Sequence, residues 1–468
     1  MSTPTYHTDT AIIGAGTAGL TAHRTLLKNG VPSLLIEKSY EVHTTCASVG
    51  CMPSKLLIAA AHSRHVAQQA QTVFGAVSHV DATPNDELLW SRIQTERNRF
   101  TSLVHQGAIS LAMTTWAEDT PLNGLLTGTC ATLIAYEPTK EYPFTLKLQT
   151  ETAARLLRAK KLIQASGSTP VVPDIWKQHL PLLGAALHTN ETIFELKETP
   201  RSIAIIGAGV IGVELSTAFH QLGAQTHLIS PTPPSRLLSL SPASSTAYNQ
   251  YLVQQGLKTH LEVSILHARY EDNISLWTLT LSDATTVQVE KVLVATGRKS
   301  NLLPGTDTIL PAHQLIVGDA SSAHPLLHEA ALDGAYAYEW WQQGGTRAEI
   351  TPLRIVFSYP QVAIVGTVPK NTDPHGYVSF GDQGRSRVQA ENVGHLSIWF
   401  DDQCRLAAAE IVHPRAEHLA HLLAWAIQAR QTVEQLLAMP FFHPVIEEGV
   451  RTALRQAKTA LYNLAERE

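Results

Sequence analysis

The stretch Thr10-Ala-Ile-Ile-Gly14-Ala-Gly16-Thr-Ala-Gly19 decides the fold of this chain. Its β-rich start leads into the pattern GxGxxG, and a helical stretch continues to Lys28. Glycines in such a turn let the backbone approach a pyrophosphate at the N-terminus of the helix. A second strand, Leu34–Ile36, ends in Glu37, which lies 21 residues after Gly16 and is placed to accept a hydrogen bond from a ribose hydroxyl. The order strand, glycine turn, helix, strand, acid predicts a dinucleotide-binding unit and not an isolated turn.

A second copy of this pattern begins 193 residues further on (207 − 14). The strand Ser202–Ile206 leads into Gly207-Ala-Gly209-Val-Ile-Gly212, and a helix is predicted from Glu214 to Leu222. The two copies are too far apart to belong to one βαβ unit. The chain is therefore expected to bind two dinucleotides.

The second copy differs from the first at the residue that would contact the ribose. Ser230 lies 21 residues after Gly209 (230 − 209), where the first copy has Glu37. An acid at this position selects NAD, and a nearby Arg accommodates the extra phosphate of NADP. Ser230 does neither strongly, and Arg236 is either that cation or an ordinary solvated loop residue. The residues alone leave NAD and NADP both open.

Composition excludes several classes of protein. A length of 468 residues predicts about two to four domains. A net charge of −5 and a pI near 6.5 give no reason to expect nucleic acid or an anionic membrane as a partner. No apolar run is long enough to span a bilayer, and the N-terminus lacks the features of a signal peptide. Four cysteines do not make a secreted disulfide framework, so we expect a cytoplasmic protein.

A pair of cysteines lies in the stretch Thr44-Thr-Cys46-Ala-Ser-Val-Gly-Cys51-Met-Pro53-Ser-Lys55. Residues five apart in an ideal helix have α-carbons about 8–9 Å apart, whereas a disulfide needs less than about 7 Å. If the two cysteines bond, the first turn must be distorted, and Pro53 is a plausible cause. A helix N-terminus also favours the thiolate form. A redox pair, two buried thiols and half of a zinc site are the alternatives, although no second metal-binding pair with finger-like spacing follows.

The pattern CxxxxCxPSK after a first dinucleotide turn resembles the flavoprotein disulfide reductases, and within them the dihydrolipoamide dehydrogenases most closely. The resemblance covers nearly the whole chain. It implies an α/β fold with two Rossmann-like domains, in which the first binds FAD and the second a nicotinamide dinucleotide. It further implies a central segment and a C-terminal α+β dimerisation domain. The implied ranges are 1–168 for the FAD domain with its redox disulfide, 169–295 for the NAD(P) domain, 296–346 for the central segment and 347–468 for the interface domain of a homodimer.

Three further motifs resemble segments of this family. Gly167, in the turn Ala165–Pro170, resembles the exit from the FAD domain, and Gly297 closes a similar turn of the NAD(P) domain. The run that ends in Asp319 resembles the second FAD motif, whose Asp binds the ribityl chain. Asp319 is alternatively, or in addition, the N-cap of a helix. The run from Phe357 to Gly366 resembles the opening of the interface domain.

The catalytic base is expected near the C-terminus, in Phe442-His443-Pro444-Val-Ile-Glu447-Glu448. A single His before Pro is most often a packed or capped residue, but here it resembles the family signature HPxxxE. The resemblance makes His443 the base, contributed by the partner subunit, and Glu448 the acid that orients it, with Glu447 as the other candidate. It also implies an ion pair between Lys55 and Glu214 beside the flavin and the nicotinamide, where the alternative is two unrelated surface charges.

The implied reaction transfers electrons from a dihydrolipoyl group to NAD. In it, Cys46 exchanges with substrate, Cys51 faces FAD, and Gly207, Gly209 and Gly212 hold the nicotinamide dinucleotide. A lipoyl-bearing protein is the implied partner, and no metal is expected. An NADPH-dependent reductase of another disulfide, such as glutathione, is the nearest alternative; mercuric reductase is disfavoured because Tyr462–Glu468 has no cysteines. A non-catalytic flavoprotein that senses nicotinamide state is the alternative from another class.

Overall fold

The structure is a computed structural model that describes residues 4–75, 86–111, 116, 120–321, 325–345, 347–348, 350–369 and 373–465. The strands are β1 Thr5–Ile13, β2 Ser33–Ile36, β3 Gly124–Leu126, β4 Cys130–Tyr136, β5 Phe144–Gln149, β6 Ala154–Gln164, β7 Ser168–Pro170, β8 Leu187–His188, β9 Ser202–Ile206, β10 Gln225–Ser230, β11 Lys258–Leu261, β12 Ile265–Glu271, β13 Leu276–Leu281, β14 Thr286–Val289, β15 Lys291–Val294, β16 Arg298–Ser300, β17 Gln314–Ile316, β18 Leu353–Val356, β19 Gln361–Gly366, β20 Gly376–Ser379, β21 His395–Phe400 and β22 Leu406–His413. The helices are α1 Thr17–Lys28, α2 Thr45–Ser48, α3 Cys51–Phe74, α4 Asp86–Ile109, α5 Asp174–Lys177, α6 Val210–Gln221, α7 Pro234–Leu237, α8 Pro242–Gln254, α9 Leu327–Ala335, α10 Ala337–Gln343, α11 Gly384–Val388, α12 Ala416–Gln428, α13 Val433–Leu437 and α14 Glu448–Ala465.

The chain divides into two compact units. The first contains residues 1–54, 90–171 and 297–348, and the second contains residues 55–89, 172–296 and 349–468. The chain passes between the two units after residues 171, 296 and 348, and the predicted domain ends are at 168, 295 and 346. Residues 55–89, expected in the FAD domain, cluster with the second unit. The division into four domains remains a prediction.

The first unit is built on a seven-stranded mixed sheet with the order β3-β2-β1-β6-β5-β4, in which β17 also pairs with β6. Strands β1, β2, β3, β6 and β17 run parallel, whereas β4 and β5 form an antiparallel extension. Helix α1 connects β1 to β2 and buries Leu20, Ala22 and Leu26 in a core that also contains Trp340. The β1–α1–β2 unit places the first glycine turn at the carboxyl end of β1, where open α/β sheets bind their ligands.

The second unit contains two sheets that matter for function. A five-stranded parallel sheet with the order β11-β10-β9-β15-β8 repeats the strand–helix–strand arrangement in β9, α6 and β10. Its central strand β9 is buried from Ile203 to Ile206, as expected for a parallel strand covered on both faces. The C-terminal sheet is antiparallel, with the order β18-β19-β22-β21-β20, and shares its core with α12 and α14. The predicted fold class, two Rossmann-like domains with a C-terminal α+β domain, is confirmed.

Some predicted boundaries differ from the observed ones. The apolar periodicity of the sequence predicts a long amphipathic helix from Leu88 to Met113. The structure has α4 there, which begins at Asp86 and ends at Ile109, and Met113 lies outside the described residues. The helix of the second glycine turn begins four residues before Glu214, at Val210. Across the part of the chain that the structure describes, no helix is both long and apolar enough to cross a membrane.

Candidate active site

The two glycine turns have the same geometry. Gly14 has φ +99°, and a β-carbon there would lie 2.5 Å from the carbonyl oxygen of Ala165. Gly207 has φ +105°, and its β-carbon would lie 2.5 Å from the carbonyl oxygen of Ala295. In each turn the third glycine, Gly19 or Gly212, packs against the carbonyl of the first. The first glycine makes the tight turn and the third brings helix and strand together, so a side chain at either position would displace backbone.

The middle glycine of each turn faces open space. A β-carbon on Gly16 or Gly209 would meet nothing within 4 Å. These two residues are the N-caps of α1 and α6, and neither helix has a side-chain cap. The first backbone N–H groups of each helix, at the positive end of its dipole, therefore point into open space. A side chain on the middle glycine would make this space smaller. Both turns fit the pyrophosphate of a dinucleotide.

The ribose-binding position differs between the two turns. The Glu37 carboxylate accepts hydrogen bonds from the backbone N–H groups of Ala15 and Ser39, each at 2.9 Å, and is thereby held at the first turn. The Ser230 hydroxyl is buried and donates to the carbonyl of Thr232 at 2.7 Å. Arg236, in the short helix α7, is exposed. The Ser230 hydroxyl is thus already hydrogen-bonded within its own turn, and its contact with a ribose stays a prediction.

The predicted second FAD motif is part of a hydrogen-bonded chain within the first unit. The Asp319 carboxylate accepts from Ser168 Oγ at 3.1 Å, and Ser168 Oγ in turn accepts from Nε of Arg298 at 2.8 Å. Gly167 and Gly297, which precede Ser168 and Arg298, have φ of +68° and +106°. Asp319 lies inside a 3₁₀ turn whose N-cap is Val317, so the N-cap interpretation of Asp319 is wrong.

Cys46 and Cys51 lie on two different helices. Cys46 is in the four-residue helix α2, which ends at Ser48, and Cys51 is the first residue of α3. The distortion that a bonded pair requires is therefore a complete break. Pro53 is the third residue of α3, where proline is tolerated, so it does not cause the break. Gly50 permits it, because a β-carbon there would lie 2.8 Å from the carbonyl oxygen of Thr45.

The structure holds both cysteines in the thiol form and not as a disulfide, with Cys46 half-buried and Cys51 exposed. A hydrogen bond to Cys51, followed by burial, raises the pKa of the Cys46 thiol. Both effects favour the thiol form of Cys46 and oppose the thiolate form that a helix N-terminus favours. The Cys46 thiol keeps its proton unless a base removes it.

Lys55 and Glu214 form an ion pair within the second unit, with Nζ 2.8 Å from Oε2. The other carboxylate oxygen of Glu214, Oε1, accepts from the backbone N–H of Phe357 at 2.9 Å. The Lys55 ammonium also lies 4.5 Å from the centre of the Phe357 ring, a cation–π contact. Because Glu214 is buried and uses both oxygens, the pair is not two unrelated surface charges.

His443 and Glu448 are hydrogen-bonded to each other in the second unit. Nδ1 of His443 lies 3.0 Å and 3.1 Å from the two carboxylate oxygens of Glu448. The backbone N–H of Val445 donates to the same carboxylate at 3.3 Å. Glu448, and not Glu447, is thus the acid on the ring. The His443 side chain is 80% exposed, which leaves Nε2 open to a partner or substrate.

Three residues of these arrangements are not predicted from the sequence. Ser168 and Arg298 lie in the two predicted turns, where only the glycines match a motif. Phe357 begins the predicted interface motif, and its backbone bond to Glu214 joins positions 143 residues apart. A motif search selects side-chain types, so it has no signal for a backbone amide that acts as a donor.

Two dinucleotide turns and a dithiol in one chain define a redox enzyme that couples a thiol pair to nucleotide cofactors. The chain belongs to the pyridine nucleotide-disulphide oxidoreductase family, whose model matches residues 8–312. The dimerisation domain of the same family matches residues 353–454 and supports a homodimer. The family is FAD-dependent and binds a nicotinamide dinucleotide, in agreement with the fit of both glycine turns.

Two kinds of curated relative have similar identity to this chain. Mercuric reductase of Shigella flexneri is 24% identical over 472 residues, which are 95% of this chain and 79% of that protein. Dihydrolipoyl dehydrogenase of Chlamydia muridarum is 25% identical over 490 residues, 97% of this chain and 98% of that protein. These relatives support the family and leave the substrate open.

Two solved structures share the fold. LpdA from Mycobacterium tuberculosis has a TM-score of 0.76 and 18% identity, covering 96% of this chain and 99% of its own. The HOCl-induced flavoprotein disulfide reductase RclA from Escherichia coli has a TM-score of 0.74 at 18% identity, with the same coverage. At this identity the likeness supports the fold alone.

Proposed function

We propose that this protein oxidises a dihydrolipoyl group with NAD through a redox pair of Cys46 and Cys51. The observation that carries the proposal is the pair itself: two adjacent thiols across a helix break in a chain with two open dinucleotide turns. The His443–Glu448 pair supports it, because thiol exchange must move protons. Four functional regions follow as proposed from the sequence: FAD, nicotinamide, central and interface.

The thiol chemistry divides between the two cysteines. A substrate thiolate attacks Sγ of Cys46 in the disulfide form, which makes a mixed disulfide and releases Cys51 as thiolate. The second substrate thiol then loses its proton and attacks the substrate sulfur in the mixed disulfide. This step releases Cys46 and closes the lipoyl ring.

His443 of the partner subunit is proposed as the base. The carboxylate of Glu448 lies on Nδ1, so it holds the proton there and leaves Nε2 to accept the proton of a substrate thiol. The tautomer follows from this hydrogen bond. The same ring can return a proton to Cys46 when it is released, since the bond to Cys51 and burial raise the pKa of that thiol.

The cofactors would be held by residues already described. Gly14, Gly16, Gly19, Glu37, Gly167, Lys55 and Asp319 would hold FAD, and Gly207, Gly209, Gly212, Gly297 and the segment Ser230–Arg236 would hold the nicotinamide dinucleotide. Bound FAD would supply two-electron chemistry between the dithiol and NAD, whose reduction is a hydride transfer. The Lys55–Glu214 pair would fix charge beside these groups. A lipoyl-bearing protein in the cytoplasm is the proposed partner.

A second candidate is an NADPH-dependent reductase of another disulfide. The observation in its favour is the absence of a carboxylate at the end of β10, where Ser230 is turned inward, together with the exposed guanidinium of Arg236. A neutral end of this strand does not repel a 2′-phosphate, and an Arg can bind one.

The test measures NAD and NADP reduction by dihydrolipoamide with FAD-loaded protein, with Cys46→Ser as the inactive control. Fast turnover with NAD that is lost in Cys46→Ser supports the proposal. A preference for NADP that Arg236→Ala abolishes supports the second candidate. Turnover of glutathione disulfide or of Hg(II), with none of dihydrolipoamide, contradicts the lipoyl assignment and keeps the family chemistry. Unchanged dihydrolipoamide turnover in Cys46→Ser contradicts the role of the pair.

A further inference from the structure

Helix α8 bears three polar residues on one face, and each is hydrogen-bonded to the C-terminal part of the second unit. Ser241, the N-cap, donates from N at 2.9 Å and from Oγ at 2.5 Å to the buried carboxylate of Glu410. Ser244 Oγ lies 2.5 Å from Nε2 of His395. Tyr248 donates its hydroxyl to Ser358 at 2.8 Å. Residues at i, i+3 and i+7 lie on the same face of a helix, so the three hydrogen-bonded positions all lie on one side of α8.

The last of these bonds adjoins the Lys55–Glu214 pair. Ser358, which accepts from Tyr248, itself donates to the carbonyl of Pro360 at 2.6 Å. This pair of bonds fixes the turn that begins at Phe357. The backbone N–H of Phe357 donates to Glu214 Oε1, while Oε2 of the same carboxylate binds Lys55. Three hydrogen-bonded contacts, together with the peptide link between Phe357 and Ser358, thus join the phenol to the ammonium.

The phenol of Tyr248 is suited to this task because it is fully buried. Burial raises its pKa, and the nearby charge of Glu214 raises it further. The hydroxyl is therefore protonated near neutral pH and donates to Ser358. A buried hydroxyl without a partner is costly, so the bond to Ser358 holds both side chains in one arrangement.

We propose that Tyr248 is a positioning residue for the Lys55–Glu214 pair, which it holds through Ser358 and the backbone amide of Phe357. This inference rests on the proposed function, in which that pair lies beside the dinucleotides. Glu214 has one oxygen for each of its two partners, so loss of the amide contact would let the carboxylate rotate and carry the Lys55 ammonium with it. A misplacement of about 1 Å at a reacting centre lowers rates by as much as about 100-fold.

The first part of the test uses the protein without added cofactor, where turnover plays no role. Hydrogen–deuterium exchange of the segment 353–361 is compared in the wild type, Tyr248→Phe, Ser358→Ala and Ser358→Thr. Tyr462→Phe is the matched control, since it removes an exposed hydroxyl that donates to Glu434 at 3.0 Å. We expect the Phe357 amide to exchange about fivefold faster in Tyr248→Phe and in Ser358→Ala, the effect of one lost hydrogen bond. Ser358→Thr, which keeps the hydroxyl, and Tyr462→Phe are expected to match the wild type.

The second part measures kcat and KM with FAD-loaded protein. We expect Tyr248→Phe to lower kcat about tenfold with KM for the disulfide substrate unchanged, because the substrate does not contact this residue. The double variant Tyr248→Phe with Ser358→Ala is expected to be no slower than the slower single variant, since both break the same chain.

The outcomes separate this inference from the proposed function. If exchange at Phe357 is unchanged in both Tyr248→Phe and Ser358→Ala, or if their effects on kcat simply add, the positioning role is wrong. If the wild type turns over no disulfide substrate while exchange at Phe357 rises in both variants, the proposed function fails and the structural link stands. Should Tyr248→Phe fold poorly, the positioning role is tested by comparing Ser358→Ala, which removes the hydroxyl that accepts from Tyr248, with Ser358→Thr, which keeps it.

Discussion

His443 depends on one neighbour for its orientation. The hydrogen bond from its ring lowers the pKa of Glu448, although that carboxylate is close to the protein surface. Glu448 therefore stays ionised well below neutral pH and holds the ring nitrogen Nδ1 in its protonated state. The exposed Nε2 is left as the atom that can take a proton.

Glu448→Gln is expected to reduce disulfide turnover by at least about tenfold, because an amide neither fixes the tautomer of His443 nor stabilises its charged form. The measurement is kcat with dihydrolipoamide over a range of pH. Glu447→Gln is the matched control, since Glu447 is the adjacent acid and Glu448 is the one on the ring. A larger loss in Glu447→Gln than in Glu448→Gln would contradict the assignment.

At the scale of elements, the strand–turn–helix unit separates two roles of glycine. The first glycine of each turn is needed by the fold, since it has a positive φ and touches a neighbouring strand end. At the second glycine the fold tolerates a small side chain, but that side chain would occupy the space expected for the ligand. Helix α1 and helix α6 repeat this arrangement, so the same pair of substitutions applies to each cofactor.

Gly16→Ala is expected to fold like the wild type and to purify with little FAD, because its methyl group enters the open space at the N-terminus of α1. Gly14→Ala is expected to destabilise the protein by roughly 1–3 kcal/mol, from its positive φ and its contact with Ala165. The measurements are flavin absorbance per chain and the thermal midpoint of the FAD-free protein. Equal flavin content in Gly16→Ala and the wild type would contradict the assignment of this turn as the binding site of the FAD pyrophosphate.

A glycine is also needed by the fold at the break between α2 and α3. The break between α2 and α3 depends on Gly50, which lets the chain return towards Thr45 and brings Cys51 next to Cys46. An unbroken helix would leave the two cysteines too far apart to bond. Here the element boundary, and not a side chain, brings together the two thiols of the proposed redox pair.

Across the described residues of both units, four deeply buried histidines have a pKa that burial lowers. Burial lowers the pKa to about 4 for each of four histidines with at most 3% exposure: His23, His188, His395 and His413. In the unfolded chain the same groups have the ordinary value of 6.5. Between these two values the unfolded chain binds protons that the folded protein does not.

The protein is therefore expected to lose stability as the pH falls from 6.5 towards 4, by up to about 1.4 kcal/mol per pH unit for each of these histidines. The measurement is the urea midpoint at pH 7.0, 6.0 and 5.0. His395→Gln is expected to flatten this dependence relative to the wild type, whereas the exposed control His418→Gln leaves it unchanged. A wild-type midpoint that is constant over this range would contradict the role of burial.

Several features of this protein are local, and the sequence predicts them. The glycine turns, the spacing of Cys46 and Cys51 and the pairing of His443 with Glu448 each lie within a few residues, so spacing and residue type determine them. The fold class follows for the same reason, because two complete strand–turn–helix units each specify a parallel sheet.

Other features join distant parts of the chain, and only the tertiary structure decides them. The chain Tyr248–Ser358–Phe357–Glu214 includes a backbone donor, and Ser168 meets Asp319 across 151 residues. The inward turn of the Ser230 hydroxyl is a matter of burial and rotamer, which a one-dimensional pattern does not record. The spacing of residues along the chain determines which turn forms and which side chains it carries. Packing determines which polar atoms of that turn are hydrogen-bonded within the protein and which remain available to a ligand.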